Sequence, residues 1–494
     1  MNDSLSLELG RWVQRTTFED LPPDVVDATK LRVLDVVGLS LAGAETAFGQ
    51  SVREAAMAMS PPGPCHILGT GDGVGVAMAA FANGSFSQAL EYDDTHLESI
   101  VHMSSPSVAA ALALAELSAT VRLKADTTYD GETYVVSGFS RTVGPVSGRD
   151  LITAIAIGNE ISCRVGSVSP GQFHRLGFHP SGLFAPFGVS YLAGKLLKLD
   201  AGRLAYAAGI VGSFAAGLLE CWVDGTQPKF LHPGWAAQSG ISAAFLARAG
   251  TNGPGAVFEG RFGLYASHLQ DRAVGRDLDR ITNGLGSRWD SRNAAFKPFP
   301  VAHVIHPYID ALWRLQQREK FQPSDVERID CQVAAFIVPI VCEPIAEKLA
   351  PASDSHGRVS LQYTLAEALS CGVMGKHAYQ PESLANREIL ALAARVRYHV
   401  DPEFPGPGHF KGVVRVTLKD GRSMTEVEEF TRGSAQNPMT GAELRGKFDE
   451  NADGFLSKAE RDRLADTIAQ LEQLTDASVL VGLGTRPSGR ARDL

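Results

Sequence analysis

Cysteine is scarce and scattered in this sequence. Cys65, Cys163, Cys221, Cys331, Cys342 and Cys371 form no C-x-x-C pair. That excludes a disulfide scaffold and reads as thiols in a reducing compartment, so the cytoplasm is the expected location. There is no H-E-x-x-H and no mixed Cys/His framework. His303 and His306 are three apart and His174 and His179 five apart, which fits no zinc pattern, so no metal is expected from the histidines. The glycine-rich run Gly69 to Gly75 satisfies neither the dinucleotide nor the phosphate-loop pattern and reads as a turn. No apolar run is long and clean enough to span a membrane. The most apolar stretch, 205–223, is interrupted by Gly209, Gly212, Ser213, Gly217 and Glu220, so a buried helix is expected there. Residues Met1 to Trp12 lack the basic lead and apolar core of a signal peptide. The net charge is −9 and no block of one sign stands out, which excludes a nucleic-acid footprint. An anionic substrate would therefore need a local positive pocket.

What is present is a long chain rich in small and aliphatic residues. Its 494 residues suggest two domains, or one large core with a smaller lobe. Asp24 follows two prolines and is a candidate helix cap, after which Val26, Leu31, Leu34, Val37 and Leu41 recur at helical spacing. Long Ala/Leu/Gly-rich stretches at 75–90, 105–120, 149–165, 181–197, 202–222 and 235–250 read as helices whose small residues allow close packing. The pattern changes after residue 292. Ile329/Cys331/Val333, Val396/Tyr398/Val400 and Val414/Val416/Leu418 alternate with polar residues, and Asp420-Gly421 signals a hairpin. Helical patterns recur at 307–317, 361–369 and 464–474. The fold class expected is mainly α. A large helical domain (1–292, with a surface insertion at 124–146) is followed by a smaller α+β lid (293–430), and C-terminal helices (431–494) return to complete the first domain.

Four polar clusters could carry chemistry. The first, Glu91 to His96 with His102, places carboxylates, a hydroxyl and imidazoles after an apolar helix. A histidine beside carboxylates is poised to trade protons near neutral pH, although such clusters also cap solvated helix ends. The second, Asp224 to Trp235, contains Lys229 and His232 in a Gly/Pro-defined turn, where they could bind a carboxylate or simply face solvent. The third, Phe296 to Pro307, contains Lys297, His303 and His306 where the bundle gives way to the second lobe, a usual position for a small-molecule cleft. The fourth, His174 to Ser181, opens a helix, whose N-terminus favours anions. Separately, Asp449 to Glu460 matches a calcium loop. Asp449, Asn451 and Asp453 would be side-chain ligands, Phe455 a carbonyl ligand and Glu460 a bidentate one. Only one such loop is present, which weakens that pattern.

At these clusters the chain resembles the MmgE/PrpD family over nearly its whole length, apart from the insertion. The markers are Asp20-Leu21-Pro22, Ala82-Asn83-Gly84 leading to Tyr92-Asp93-Asp94-Thr95-His96, and Asp224-Gly225-Thr226. Lys229 with Leu231 to Ala237, Gly253-Pro254 with Val257 to Gly260, and Lys297-Pro298 with His306-Pro307 complete the set. The resemblance implies a large helical domain with an α+β lid, no metal or organic cofactor, and a homodimer. It implies a lyase, as in 2-methylcitrate dehydratase and cis-aconitate decarboxylase, acting on a small di- or tricarboxylate. In that frame Glu91, Thr95, Lys229, His232 and His306 bind substrate and Lys297 stabilises charge. His102, with His179 or Tyr363, moves the proton. Glu91 stands where relatives often carry Asp, and Met103 where Pro is usual, so the resemblance points to no single substrate. An isomerase in the same fold and a non-catalytic, calcium-responsive protein are the alternatives. The family's tail is an ordinary helix across 447–460, which argues against calcium.

Overall fold

The computed structural model describes residues 3–125, 144–270 and 275–485. Most of the expected insertion at 124–146 lies outside them. Among the helices of the first core are α1 (Pro23–Glu45), α2 (Val76–Gln88), α3 (Ser104–Ala125), α4 (Gly148–Gly166), α5 (Pro180–Leu196), α6 (Ala201–Val211) and α7 (Pro228–Ala249). None of the described helices is long and apolar enough to cross a membrane.

Small residues let these helices touch backbone to backbone. A Cβ on Gly188 of α5 would sit 2.1 Å from the Gly158 carbonyl of α4. One on Gly234 of α7 would sit 2.2 Å from the Phe81 carbonyl of α2. These positions tolerate no side chain, which makes the bundle dense. Two expectations are corrected. The stretch 202–222 is not one helix: α6 ends at Val211 and an irregular segment follows through Gly212, Ser213 and Gly217, where α-helix propensity is lowest. Asp24 is not the cap of α1. Pro22 holds that position, and Asp24 lies in the first turn bound to Arg292.

A second core gathers residues between Phe299 and Leu418. Its sheet contains β1 (Val326–Val333), β2 (Val396–Val400), β3 (Gly412–Leu418) and β4 (Ser423–Glu428), in the order β2-β1-β3-β4. β1 is parallel to β2 and antiparallel to β3. The β3–β4 hairpin turns at Asp420-Gly421, with Gly421 at φ +89°. Ile329, Cys331, Val333, Val414 and Val416 point into this core, as period-2 alternation requires. Helices α8 (His306–Glu319) and α9 (Leu361–Cys371) pack with the sheet and each other. Together, the helical bundle and the small sheets make a mainly α fold.

The C-terminal helices α10 (Gly441–Ala452) and α11 (Lys458–Ala469) return to the first core, where Phe448, Ala452, Leu464 and Ile468 are buried. They overturn the calcium-loop match. Asp449 to Ala452 are helical, so Asp449 and Asn451 point about 160° apart around the helix and cannot converge on one ion. Asn451 is buried against α1, while Asp449 is held by Arg445 and Asp453 by Arg461. Glu460 is committed to a capping box with Ser457.

Candidate active site

The site lies where the two cores meet. At the end of α2 the chain turns sharply through Glu91, which adopts a left-handed backbone at φ +53°. That conformation is strained for a residue with a side chain, and such strain concentrates at functional positions. Thr95-His96 then pairs antiparallel with Ala294-Ala295, in register Thr95↔Ala295. This pairing draws the Glu91 loop against Lys297, and the Tyr92 hydroxyl closes the join by donating to the Pro298 carbonyl at 3.0 Å. From below, Lys447 of α10 donates to the Tyr92 carbonyl at 2.8 Å and is paired with Asp35 of α1 at 2.7 Å. Lys229 arrives from the first turn of α7, which starts at Pro228, earlier than its apolar pattern suggests.

Both lysines converge on Glu91. Lys229 Nζ binds Glu91 Oε2 and Lys297 Nζ lies 3.0 Å from Oε1, all three residues being buried. Burial would raise the Glu91 carboxyl, but Lys229 and Lys297 outweigh it and hold it well below the usual carboxylate range. Burial lowers the Lys297 ammonium, with Glu91 and Asp93 pulling the other way.

His102 stands beside this group. Its Nδ1 lies 2.9 Å from the Asp94 carbonyl, which can only accept, so Nδ1 carries the proton and Nε2 is left as a lone-pair base. Thr95 Oγ1 at 3.3 Å and Asp93 Oδ1 at 3.4 Å flank the same nitrogen. Ser181 Oγ anchors the His102 backbone N–H at 2.9 Å. Burial and then the two lysines depress His102 to about 3, so the ring is neutral at pH 7. Asp93 is pushed up to about 7 by burial, against the pull of Lys297.

His179 precedes Pro180 at the start of α5, 5.5 Å from His102 between ring centroids. Its Nδ1 shares a hydrogen bond of 2.8 Å with His232 Nδ1. Burial and His232 hold His179 well below its ordinary value, and burial with Lys229 takes His232 down to about 4. His232 thus sits behind His179 and fixes its ring without lining the cavity.

Glu91, Thr95, His102, His179, Lys229 and Lys297 line one cavity of about 60 Å³. Trp222, Val304, Phe336, Ile340 and Phe410 also line it, with Ile100 and Ala302, and the Trp222 ring centroid lies 6.0 Å from Lys229 Nζ. Two further histidines line it, His174 and His303. Both belong to the polar clusters of the sequence, where the family resemblance implies no role for them. The signal was spacing, since His303 is three residues before His306 and His174 five before His179. His306 itself is one layer back. Its Nε2 bonds the Val301 carbonyl at 3.0 Å and its ring packs on His303 at 4.7 Å.

Tyr363 is not brought to the cavity. It lies on α9, buried in the second core at 6.2 Å from the Tyr379 ring. Ser360 caps α9 by accepting from the Tyr363 backbone N–H, and the Tyr363 side chain belongs to the second core. Asp94 and His96, adjacent to the site, serve the scaffold. Asp94 pairs with Arg32 at 2.5 Å and accepts from Ser104 Oγ, and His96 Nδ1 bonds Ser99 Oγ at 2.7 Å. Among the described residues no group of histidines, cysteines and carboxylates is disposed to hold a metal ion.

A cation pair facing a neutral imidazole can hold a carboxylate and stabilise charge built on the adjacent carbon while a proton moves. The MmgE/PrpD N-terminal domain matches residues 7–277 and the MmgE/PrpD C-terminal domain residues 299–473. A cis-aconitate decarboxylase-like protein of Aspergillus oryzae is 26% identical over 488 residues, 97% of each chain. Cis-aconitate decarboxylase of Aspergillus terreus is 26% identical over 494 residues, covering 97% of this chain and 95% of its own. The Mus musculus cis-aconitate decarboxylase is 26% identical over 484 residues, 95% of this chain and 91% of its own.

Proposed function

This chain belongs to the MmgE/PrpD family, and on that premise we propose that it is a cofactor-independent lyase acting on a small di- or tricarboxylate. The observation that carries the reading is the convergence of Lys229 and Lys297 on Glu91 beside the free Nε2 of His102, in a cavity between the two cores.

In this reading a substrate carboxylate takes up the lysines now shared by Glu91. Its arrival cancels part of the positive field that, after burial, depresses His102, so the imidazole becomes a better base once substrate is bound. For dehydration, His102 Nε2 removes the proton beside the carboxylate, the lysines stabilise the developing charge, and hydroxide leaves as the double bond forms. For decarboxylation, the C–C bond breaks, carbon dioxide departs and the electron pair remains on carbon. His102 or His179, having taken up a proton from solvent once the bound carboxylate offsets the lysine field, then delivers that proton to the carbon. The cavity is smaller than such an acid needs, so the smaller lobe acts as a lid that opens for entry and closes to exclude water. The protein works as a homodimer in the cytoplasm on the same reading, and light scattering of the purified protein tests the former.

The similarity to cis-aconitate decarboxylases favours decarboxylation over dehydration. Proton NMR of the enzyme in D₂O with cis-aconitate, citrate, 2-methylcitrate and substituted succinates distinguishes the outcomes. Loss of a carboxylate or formation of an alkene supports the lyase. Deuterium incorporation with no other change assigns the chain to the isomerases, and an inert panel refutes the reading.

A further inference from the structure

The two walls of the cavity differ in chemistry, and that difference constrains the substrate. The cations lining it are Lys229 and Lys297, both at the Glu91 end. The histidines that line it add no charge at neutral pH, because burial holds His102 and His174 near 3 and 4 and keeps His179 and His303 well below their ordinary value. With Glu91 ionised, the lining carries one net positive charge. The side that packs with the second core is Val304, Phe336, Ile340 and Phe410, and among the described residues no lysine or arginine lines it. Val304, Phe336 and Phe410 also border a second, smaller space lined by Ile337, Phe404 and Pro405. The basic groups there, His409 and Lys411, are already engaged by Glu429 at 3.4 and 2.8 Å.

We propose that this site selects a carboxylic acid bearing an apolar substituent, with its carboxylate end on the lysine pair and its alkyl or aryl group against Val304, Phe336, Ile340 and Phe410. This rests on the lyase reading and narrows its substrate class. A tricarboxylate must place at least one ionised group where the lining offers only neutral nitrogens, such as those of His303 and the Trp222 indole, and no countercharge, which a buried site penalises. An alkyl or phenyl group in the same place exchanges water for carbon contacts.

The test uses the full-length enzyme and two series of acids. One is succinate carrying methyl, butyl or benzyl, and the other is cis-aconitate and citrate. Binding is measured by calorimetry and turnover or deuterium exchange by NMR. The expected result is affinity and kcat/KM that rise with the apolar substituent and exceed those of the tricarboxylates by about 100-fold or more. Phe336→Arg and Ile340→Lys, each placing a cation on the apolar wall, should shrink that ratio. Preference of the wild-type enzyme for cis-aconitate overturns the proposal while leaving the lyase reading intact. Tight binding of the apolar series with neither turnover nor exchange supports the selectivity and overturns the lyase reading. No binding of either series overturns both.

Discussion

Replacing Lys297 by Met removes a charge and little volume. Lys297 Nζ lies 3.0 Å from Glu91 Oε1 and 3.1 Å from the Glu91 carbonyl, and the side chain is fully buried. Removing one partner of a buried charged hydrogen bond costs about 2–5 kcal/mol, so if Lys297 holds the substrate carboxylate, kcat/KM should fall roughly 30- to 3,000-fold. The stability cost is smaller. Lys229 still pairs with Glu91 and the burial penalty of Lys297 disappears, so a loss of about 1–3 kcal/mol is expected, within what a folded variant survives. A second readout is independent of rate. After burial, Lys297 is the largest influence holding His102 down, and it also pulls Asp93 down. In Lys297→Met both groups should titrate at higher pH, so the acid limb of the kcat/KM profile moves upward. The assay is kcat/KM against pH for wild type and variant, with thermal melting as control. Activity within threefold of wild type and an unmoved acid limb would refute the account of this lysine.

Other expectations follow from the same geometry. His96, His102, His174 and His232 are neutral in the folded protein, with pKa values lowered to between about 3 and about 4, chiefly by burial. They impose no penalty above pH 6.5. Below it the unfolded chain takes up protons the native state refuses, each costing up to about 1.4 kcal/mol per pH unit. Asp93 and Asp35, raised to about 7 and about 6, act in the opposite direction between those values and 3.8 and offset part of the loss. The melting temperature should therefore fall from pH 6.5 toward 5, and a flat profile contradicts the assignment. Lys447→Met strands the buried Asp35 carboxylate and frees the Tyr92 carbonyl, so about 3–5 kcal/mol of stability should be lost in urea unfolding. Adding Asp35→Asn should recover part of that loss, and an unchanged double variant would show that the pair is not the cause. Calcium and chelator should leave the melting temperature equal, because Asp449 and Asn451 face apart on α10. A rise with calcium would revive the ion site.

Much of this was legible in the sequence because local periodicity survives folding. The helices at 76–88, 104–125, 148–166 and 180–196 follow their apolar runs, and the alternation at 329–333 and 414–418 places those strands' inner faces. The sequence clusters also contained the residues that line the cavity's polar side. Local patterns failed where long-range contacts decide. Tyr363 has the right chemistry, but the orientation of α9 turns it into the second core. Lys447 looks like an ordinary charge on an amphipathic helix, yet it is buried against residues more than 350 positions earlier. The calcium pattern matched letter by letter, but the capping box at Ser457 and the helix through Ala452 set the backbone instead.

The central claim is that His102 moves the proton while the lysine pair holds the acid. The measurement that tests it most directly is the rate of deuterium incorporation from D₂O into a substrate or product at the carbon beside the carboxylate, for wild type and His102→Gln, with binding followed by calorimetry. The account predicts loss of exchange by about 10²- to 10⁴-fold in the variant, with affinity nearly unchanged. Exchange at the wild-type rate in His102→Gln would contradict it.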